Sequence, residues 1–407
     1  MGTEFLKIKE CDEAIDIIQN LFNENLKPQS EEISVTEAYG RVLFEDVYSR
    51  MDFPPFDKAL KDGFAILAED SYGASEETPN TLEVVDFLEA GSTTDKKVEK
   101  GKCIEISTGA AMPEGAESVV MVEYAEKLDG KVNILTTATP GQDVARKGSD
   151  IEEGKLILKK GDFLNPGKIG VLLSQGFDTI EVYKKPTVGV VSSGNEITLQ
   201  GEELEYGKIY DVNGGMIKND AVSCGADAKF LGVMRDNYDE VKKKITESLK
   251  EVDILFCSGG TSAGLGDVLK HVLDELGEVH IHGISVQPGK PTIVGVIDGK
   301  LVIGLPGNPV SALMIFNAFV AEPLSRLAGV DRDFELKTVK GKITRRIHSQ
   351  VGRMQYQLVK VDGENINPIF KDSGAIFSLS TADGYVKIPK LIEMVDEGED
   401  VEVFLFN

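Results

Sequence analysis

The sequence predicts a multidomain protein of α/β and β class, and three observations carry that expectation. The chain has 407 residues, and at roughly 150 residues per domain it holds about two to four domains. Residues 187–330 alternate short apolar runs with helical periodicities, the rhythm of an α/β unit with a parallel-type sheet. The stretches on either side carry short alternating runs divided by turn residues, which read as β-rich.

The elements follow in order. Ala14, Ile17, Ile18, Leu21 and Phe22 fall on one helical face, and Pro28 ends that helix. Leu82–Phe87 and Lys131–Leu135 read as strands within a β-rich stretch reaching to about residue 142. Asn165-Pro166 is an N-cap followed by a first-turn proline, with Gly176 at the helix end. Within the α/β region, Val188–Val191, Lys229–Val233 and Ile254–Cys257 read as strands. Helices are expected from about Gly215 to Gly225, through Val241, Ile245 and Leu249, and through Val268, Val272 and Leu276. Thr292–Ile297 and Leu301–Leu305 flank Asp298-Gly299, a hairpin signal. Asn308-Pro309 opens a long apolar helix, with Pro323 as a kink and Gly329 as its end. Thr338–Ile343, Tyr356–Val361, Tyr385–Ile388 and Val401–Leu405 then read as strands of a small barrel or sandwich.

Hydrophobic residues make up 41% and charged residues 28%, a globular rather than disordered composition. The net charge is −24. Residues 1–184 hold 20 basic and 36 acidic residues, whereas 332–407 hold 11 and 12. A protein that binds nucleic acid carries a basic footprint, and none is visible. No apolar run reaches about 18 residues, so no membrane span is expected. The N-terminus lacks an apolar secretory core, and the expected location is cytoplasmic. Cys11, Cys103, Cys224 and Cys257 are too scattered for a zinc site and read as reduced, buried thiols.

Several strands of the α/β region end in small residues: Ser192-Ser193-Gly194, Ser258-Gly259-Gly260-Thr261-Ser262 and Pro306-Gly307-Asn308-Pro309. Each alone is an ordinary turn. Together, at successive strand ends, they point to phosphate or pterin binding. Glu196, Asp211, Asp236 and Asp267 stand beside them, either as ligands of Mg²⁺ or a hydroxyl, or as helix caps and turns. Gly283 to Pro291 nearly copies a P-loop, but one residue is extra and Pro291 replaces the Ser or Thr that would hold Mg²⁺. His280 and His282 share a strand face without completing a ligand set.

An ordered set of motifs runs nearly end to end. It includes Gly40-Arg41-Val42-Leu43, Pro55-Phe56-Asp57 with Asp62-Gly63-Phe64-Ala65, Ser107-Thr108-Gly109-Ala110 and Arg146-Lys147-Gly148-Ser149-Asp150. It continues in Ser193-Gly194-Asn195-Glu196, Tyr210-Asp211-Val212-Asn213, Ser258 to Gly264, Pro288-Gly289-Lys290-Pro291 and Gly304 to Ala312. In these the chain resembles the MoeA/gephyrin family of molybdopterin molybdenumtransferases.

That resemblance implies four domains: an elongated N-terminal domain from 1–26 plus 143–184, an inserted β-rich domain at 27–142, an α/β molybdopterin-binding domain at 185–331, and a C-terminal β-barrel at 332–407. It implies a homodimer with an intersubunit cleft, and an upstream molybdopterin adenylyltransferase as a partner. The implied reaction takes adenylyl-molybdopterin with molybdate or tungstate and Mg²⁺, releases AMP and leaves the metal on the dithiolene. Carried over by position, the catalytic candidates are Asp62, Thr108, Asp150 and Glu196. The pterin and phosphate candidates are Ser193, Gly194, Asp236, Gly259, Gly260, Ser262, Asp267, Lys290, Pro306, Gly307, Pro309 and Ser378. Asp62, Glu196 and Asp267 are the metal candidates, and Arg146 and Lys147 the oxyanion binders. Bland readings stand beside these: Asp62 as turn chemistry, Thr108 as a cap, Arg146 as the partner of a nearby acid.

The chain also departs from the family. Lys58-Ala59-Leu60-Lys61 replaces Asn-Ser-Ala-Met, Phe64 replaces Tyr, and Ala145 stands where Arg is frequent. Ser193 and Asn195 replace Thr and Asp, Gln287 replaces Lys, and Gly266 stands where Ala is common. Two readings follow. Either Lys58 or Lys61 supplies the missing positive charge in an active enzyme, or the chain is a non-catalytic or metal-preference-altered paralogue, a molybdopterin carrier or gephyrin-like scaffold.

Overall fold

Alternating burial organises the central sheet. In Thr187–Ser193, Val188 and Val190 face one side and Val191 the other; in Ile254–Ser258, Ile254 and Phe256 oppose Leu255 and Cys257. Both faces are therefore apolar and take helices. One packs against Cys11–Asn25, Asn213–Ser223 and the helix that opens at Pro309; the other receives Tyr238–Ser248 and Leu265–Leu276. The structure, a computed structural model, describes residues 7–259, 265–330 and 338–406, without the side chains of 265–267.

Across this sheet the strands run in the order Asp227–Met234, Thr187–Ser193, Ile254–Ser258, Lys300–Leu305, Ile293–Ile297 and Glu278–His282. The first four are mutually parallel and the last two antiparallel, so the expected parallel-type sheet carries an antiparallel edge. The hairpin is as expected: Asp298 at φ 50 and Gly299 at φ 75 make the two-residue turn between Ile297 and Lys300. Both turn residues need left-handed φ, which Asp tolerates and Gly favours. The long helix runs as α over Pro309–Ile315, π over Phe316–Val320 and α again over Ala321–Leu327. Pro323 has no N–H and crowds the carbonyl of Phe319, so the irregularity falls in the turn before it. By length and composition Pro309–Leu327 could cross a membrane, yet Val310, Met314, Phe316, Phe319 and Leu324 are buried in the core around the sheet.

Strands Met354–Asp362, Asn365–Pro368, Thr338–Ile343, Asp400–Leu405 and Gly384–Ile388 pair in turn, and the last returns to the first. That return closes a β-barrel around Ile343, Val359, Ile366, Val386 and Val403 and excludes the sandwich. The short strand Val286–Gln287 adds to it, parallel to Met354 and Gln355.

These elements belong to one compact unit, Met1–Glu31 with Val182–Asn407; the other is Glu32–Glu181. The second holds a six-stranded sheet in the order Ser118–Met121, Gly63–Ile66, Lys102–Ile106, Asn80–Leu88, Lys131–Ile134 and Ala125–Leu128. Phe64 and Ile66 pack on one face with Cys103 and Val132, and Ala65 on the other with Ile104 and Val119. Its helix Pro166–Ser174 is capped as expected, the Asn165 side chain accepting from the Lys168 N–H at 2.9 Å. All four cysteines are buried and outside any disulfide.

Candidate functional site

The parallel strands Thr187–Ser193, Ile254–Ser258 and Lys300–Leu305 end along one edge of the sheet, where ligands of such sheets bind. A cleft of about 660 Å³ opens there, lined by Ser193, Glu196, Asp211, Asn213, Ser258, Gly259 and the turn Pro306 to Pro309. Gly259 sits at φ +99, and a Cβ on it would stand 2.1 Å from the Ser193 carbonyl oxygen. Only glycine lets these strand ends approach so closely. Asp211 is buried and accepts from Ser192 Oγ at 2.6 Å and from the Gly214 N–H at 3.3 Å. Asn213 Nδ2 donates to Ser258 Oγ at 2.8 Å and to the Gly307 carbonyl at 2.7 Å. A carbonyl only accepts, so this fixes the amide orientation. Asn213 Oδ1 is left buried without a partner, a ready acceptor in the wall. The Glu196 carboxylate lies against Gly194, where a Cβ would meet Oε2 at 2.7 Å. Asp236 acts through a neighbour, accepting from Ser193 Oγ at 2.9 Å.

A second cleft of about 460 Å³ adjoins the first and shares Pro291 and Ser311 with it. Lys290, Arg353 and Lys371 line it, and none of the three forms an ion pair among the described residues. Gln287, Gln355 and Gln357 complete a polar wall, with Gln287 Oε1 buried and unpartnered. Asp372 lines the cleft as well, and three cations against one carboxylate leave a positive balance that suits an anion.

In the unit Glu32–Glu181 the candidates form two groups. The Thr108 backbone N–H and Oγ1 both donate to Asp62 Oδ1, at 2.7 and 3.0 Å. These bonds, the backbone one foremost, hold the Asp62 carboxyl below the usual carboxylate range, so it stays ionised. The two expected oxyanion binders both contact acids. Arg146 Nη1 donates to Asp57 Oδ2 at 2.6 Å, the Lys147 backbone N–H to Asp57 Oδ1 at 2.7 Å, and Lys147 Nζ lies 3.3 Å from Asp52. The Lys147 N–H, then the Arg146 guanidinium, depress the Asp57 carboxyl. Asp150 is exposed, its backbone N–H donating to the Phe53 carbonyl.

The first cleft thus brings together Ser193, Glu196, Gly259, Pro306, Gly307 and Pro309, with Gly194 and Asp236 beside its wall; Lys290 lines the adjoining one. One expectation needs correcting: Ser378 does not rim the cleft. It is 1% exposed and gives its hydroxyl to the Ala375 carbonyl at 2.6 Å, while Gly374 and Ile376 line the cleft. A Ser with a carbonyl one turn back bonds locally once its helix forms. Gly260 and Ser262 lie outside the described residues, as does the Asp267 side chain. Asn213, Arg353 and Lys371 were not singled out from sequence. Asn213 sits in a quoted motif, but its role needs Gly307, 94 residues away; Arg353 and Lys371 carry no local signal.

A sheet with helices on both faces and a polar cleft at its parallel strand ends defines an α/β ligand-binding domain. Residues 189–326 match the family described as probable molybdopterin binding domain. Residues 9–176 match MoeA N-terminal region (domain I and II), and residues 340–406 match MoeA C-terminal region (domain IV). The chain belongs to the MoeA family. It is 40% identical to a molybdopterin biosynthesis MoeA protein from Pyrococcus horikosii, with a TM-score of 0.86 over 98% of this chain and 100% of that one. It is 30% identical over 396 residues to a molybdopterin molybdenumtransferase of Staphylococcus epidermidis, covering 96% of this chain and 94% of the relative.

Proposed function

We propose that this chain is a molybdopterin molybdenumtransferase of molybdenum cofactor biosynthesis. It takes adenylyl-molybdopterin and molybdate or tungstate, cleaves the phosphoanhydride, releases AMP and leaves the metal on the dithiolene. The observation that carries this reading is the pair of adjoining clefts. One offers an orphaned acceptor, Asn213 Oδ1, suited to a pterin N–H. The other offers Lys290, Arg353 and Lys371 to phosphates, in a chain of net charge −24. Asp62, kept ionised by Thr108, accepts from a water or hydroxyl of the oxyanion.

Mg²⁺ supplies charge neutralisation for the pyrophosphate when bound. Asp211 already accepts from Ser192 and Gly214, and no cluster of three ligating side chains occurs among the described residues. Glu196, which lines the cleft, would hold Mg²⁺ there with water and substrate oxygens in the shell, and Asp267 remains a second candidate ligand. The proposal extends to a homodimer, to the four-part division at 1–26 with 143–184, 27–142, 185–331 and 332–407, and to a cytoplasmic location.

The test is AMP release from adenylyl-molybdopterin with Mg²⁺ and each oxyanion in parallel. Absence of AMP beside an active insertase refutes the transferase. The ion-paired state of Arg146 and Lys147 favours one alternative, a carrier that retains pterin without turnover. Substituting Asp62 separates them, because a carrier keeps its pterin affinity.

A further inference from the structure

In the unit Glu32–Glu181, two cations close to Asp62 in the sequence are left without the neutralising partners that Arg146 and Lys147 have. Lys58 and Lys61 form no ion pair among the described residues. The register places Lys58. The strand Lys58–Ala59 runs antiparallel to Val144–Ala145, with Lys58 directly opposite Ala145. Residues directly opposite project to the same face of the ladder. Ala59 is 1% exposed and Val144 8%, so Lys58 and Ala145 share the outward face. The Lys58 ammonium stands 5.7 Å from the Phe53 ring centroid, which positions it without neutralising it. On the other side the same segment is tied to the loop that carries Thr108. The Ala59 N–H donates to the Ala110 carbonyl at 2.9 Å, and the Gly109 N–H to the Ala59 carbonyl at 2.8 Å. One backbone framework therefore holds Lys58, Thr108 and Asp62.

We propose that Lys58 is the residue of this unit that binds the transferred oxyanion, while Arg146 and Lys147 brace the turns at Asp57 and Asp52. The proposal rests on reading the chain as an oxyanion-using transferase. An ammonium brings three donors and a full charge to a tetrahedral oxyanion. Because the contact exists in the ground state as well, its loss raises KM more than it lowers kcat.

The test titrates molybdate into the full chain by calorimetry and measures AMP release alongside. Lys58→Ala weakens molybdate binding about tenfold or more, the size of a lost charge-assisted hydrogen bond. Lys58→Arg keeps it. Lys58→Ala combined with Ala145→Arg recovers most of it, because the register returns a cation to the same face. Lys58→Gln repeats the loss with the stem retained, which guards against a folding failure of the alanine variant. Arg146→Ala lowers the melting temperature through Asp57. Unchanged molybdate affinity in Lys58→Ala and Lys58→Gln overturns the assignment, as does failure of the paired variant to recover. If the wild-type chain binds molybdate but releases no AMP, the transferase reading fails and the titration alone judges Lys58. A wild-type chain that binds no molybdate overturns the assignment, and AMP release alone then judges the transferase.

Discussion

Asp220 stands on the helix Asn213–Ser223, two turns past the Asn213 that lines the cleft, and accepts from Asn317 Nδ2 at 2.7 Å. Asn317 belongs to the π segment Phe316–Val320 and also donates to the Leu313 carbonyl at 3.0 Å. Burial pushes the Asp220 carboxyl up to about 7, against an ordinary value of 3.8, although the Asn317 bond pulls it down. The native state therefore holds a proton that the unfolded chain releases above pH 3.8. Stability falls as pH rises from there to about 7 and is flat beyond. The gap is roughly 3 units at about 1.4 kcal/mol each, about 4 kcal/mol at most, and ~2–4 kcal/mol after allowing for partial exposure. Asp220→Asn keeps an acceptor for Asn317 and removes the titration. Scanning calorimetry of wild type and variant from pH 4 to 8 checks this. The variant is expected to gain an advantage that grows through this range and amounts to several degrees in Tm near pH 8. A difference independent of pH, or one that grows toward acid, refutes the buried carboxyl.

Other substitutions probe the clefts. Gly259→Ala places a methyl 2.1 Å from the Ser193 carbonyl at φ +99, so it lowers stability by at least ~2 kcal/mol, read as a drop in Tm; an unshifted Tm contradicts the close approach. Lys290→Ala weakens binding of pyrophosphate by ~1.5–3 kcal/mol, measured by titration, and unchanged affinity removes Lys290 from the site. Asp62→Asn lowers AMP release by about 100-fold or more with pterin retention preserved; equal loss of both points to a structural role.

The sequence alone determined the elements whose signals are local. Asn165-Pro166 caps its helix with groups three residues apart, and Asp298-Gly299 makes its turn from two residues, so neither needs the rest of the chain. Alternating apolar runs marked the strands because side-chain direction follows backbone pleat. The ordered motifs marked the family and most of the cleft wall at the strand ends. Only tertiary structure decided the rest. Barrel closure depends on Gly384–Ile388 returning to Met354–Asp362, and a strand's own sequence does not name its partner. The anion cleft needs Lys290 beside Arg353 and Lys371, which come much later in the sequence. Arg146, an oxyanion candidate by motif, lies in an ion pair with Asp57, 89 residues away. A charge is free or neutralised according to what the fold brings within hydrogen-bond reach, and that distance is not written in the neighbouring residues.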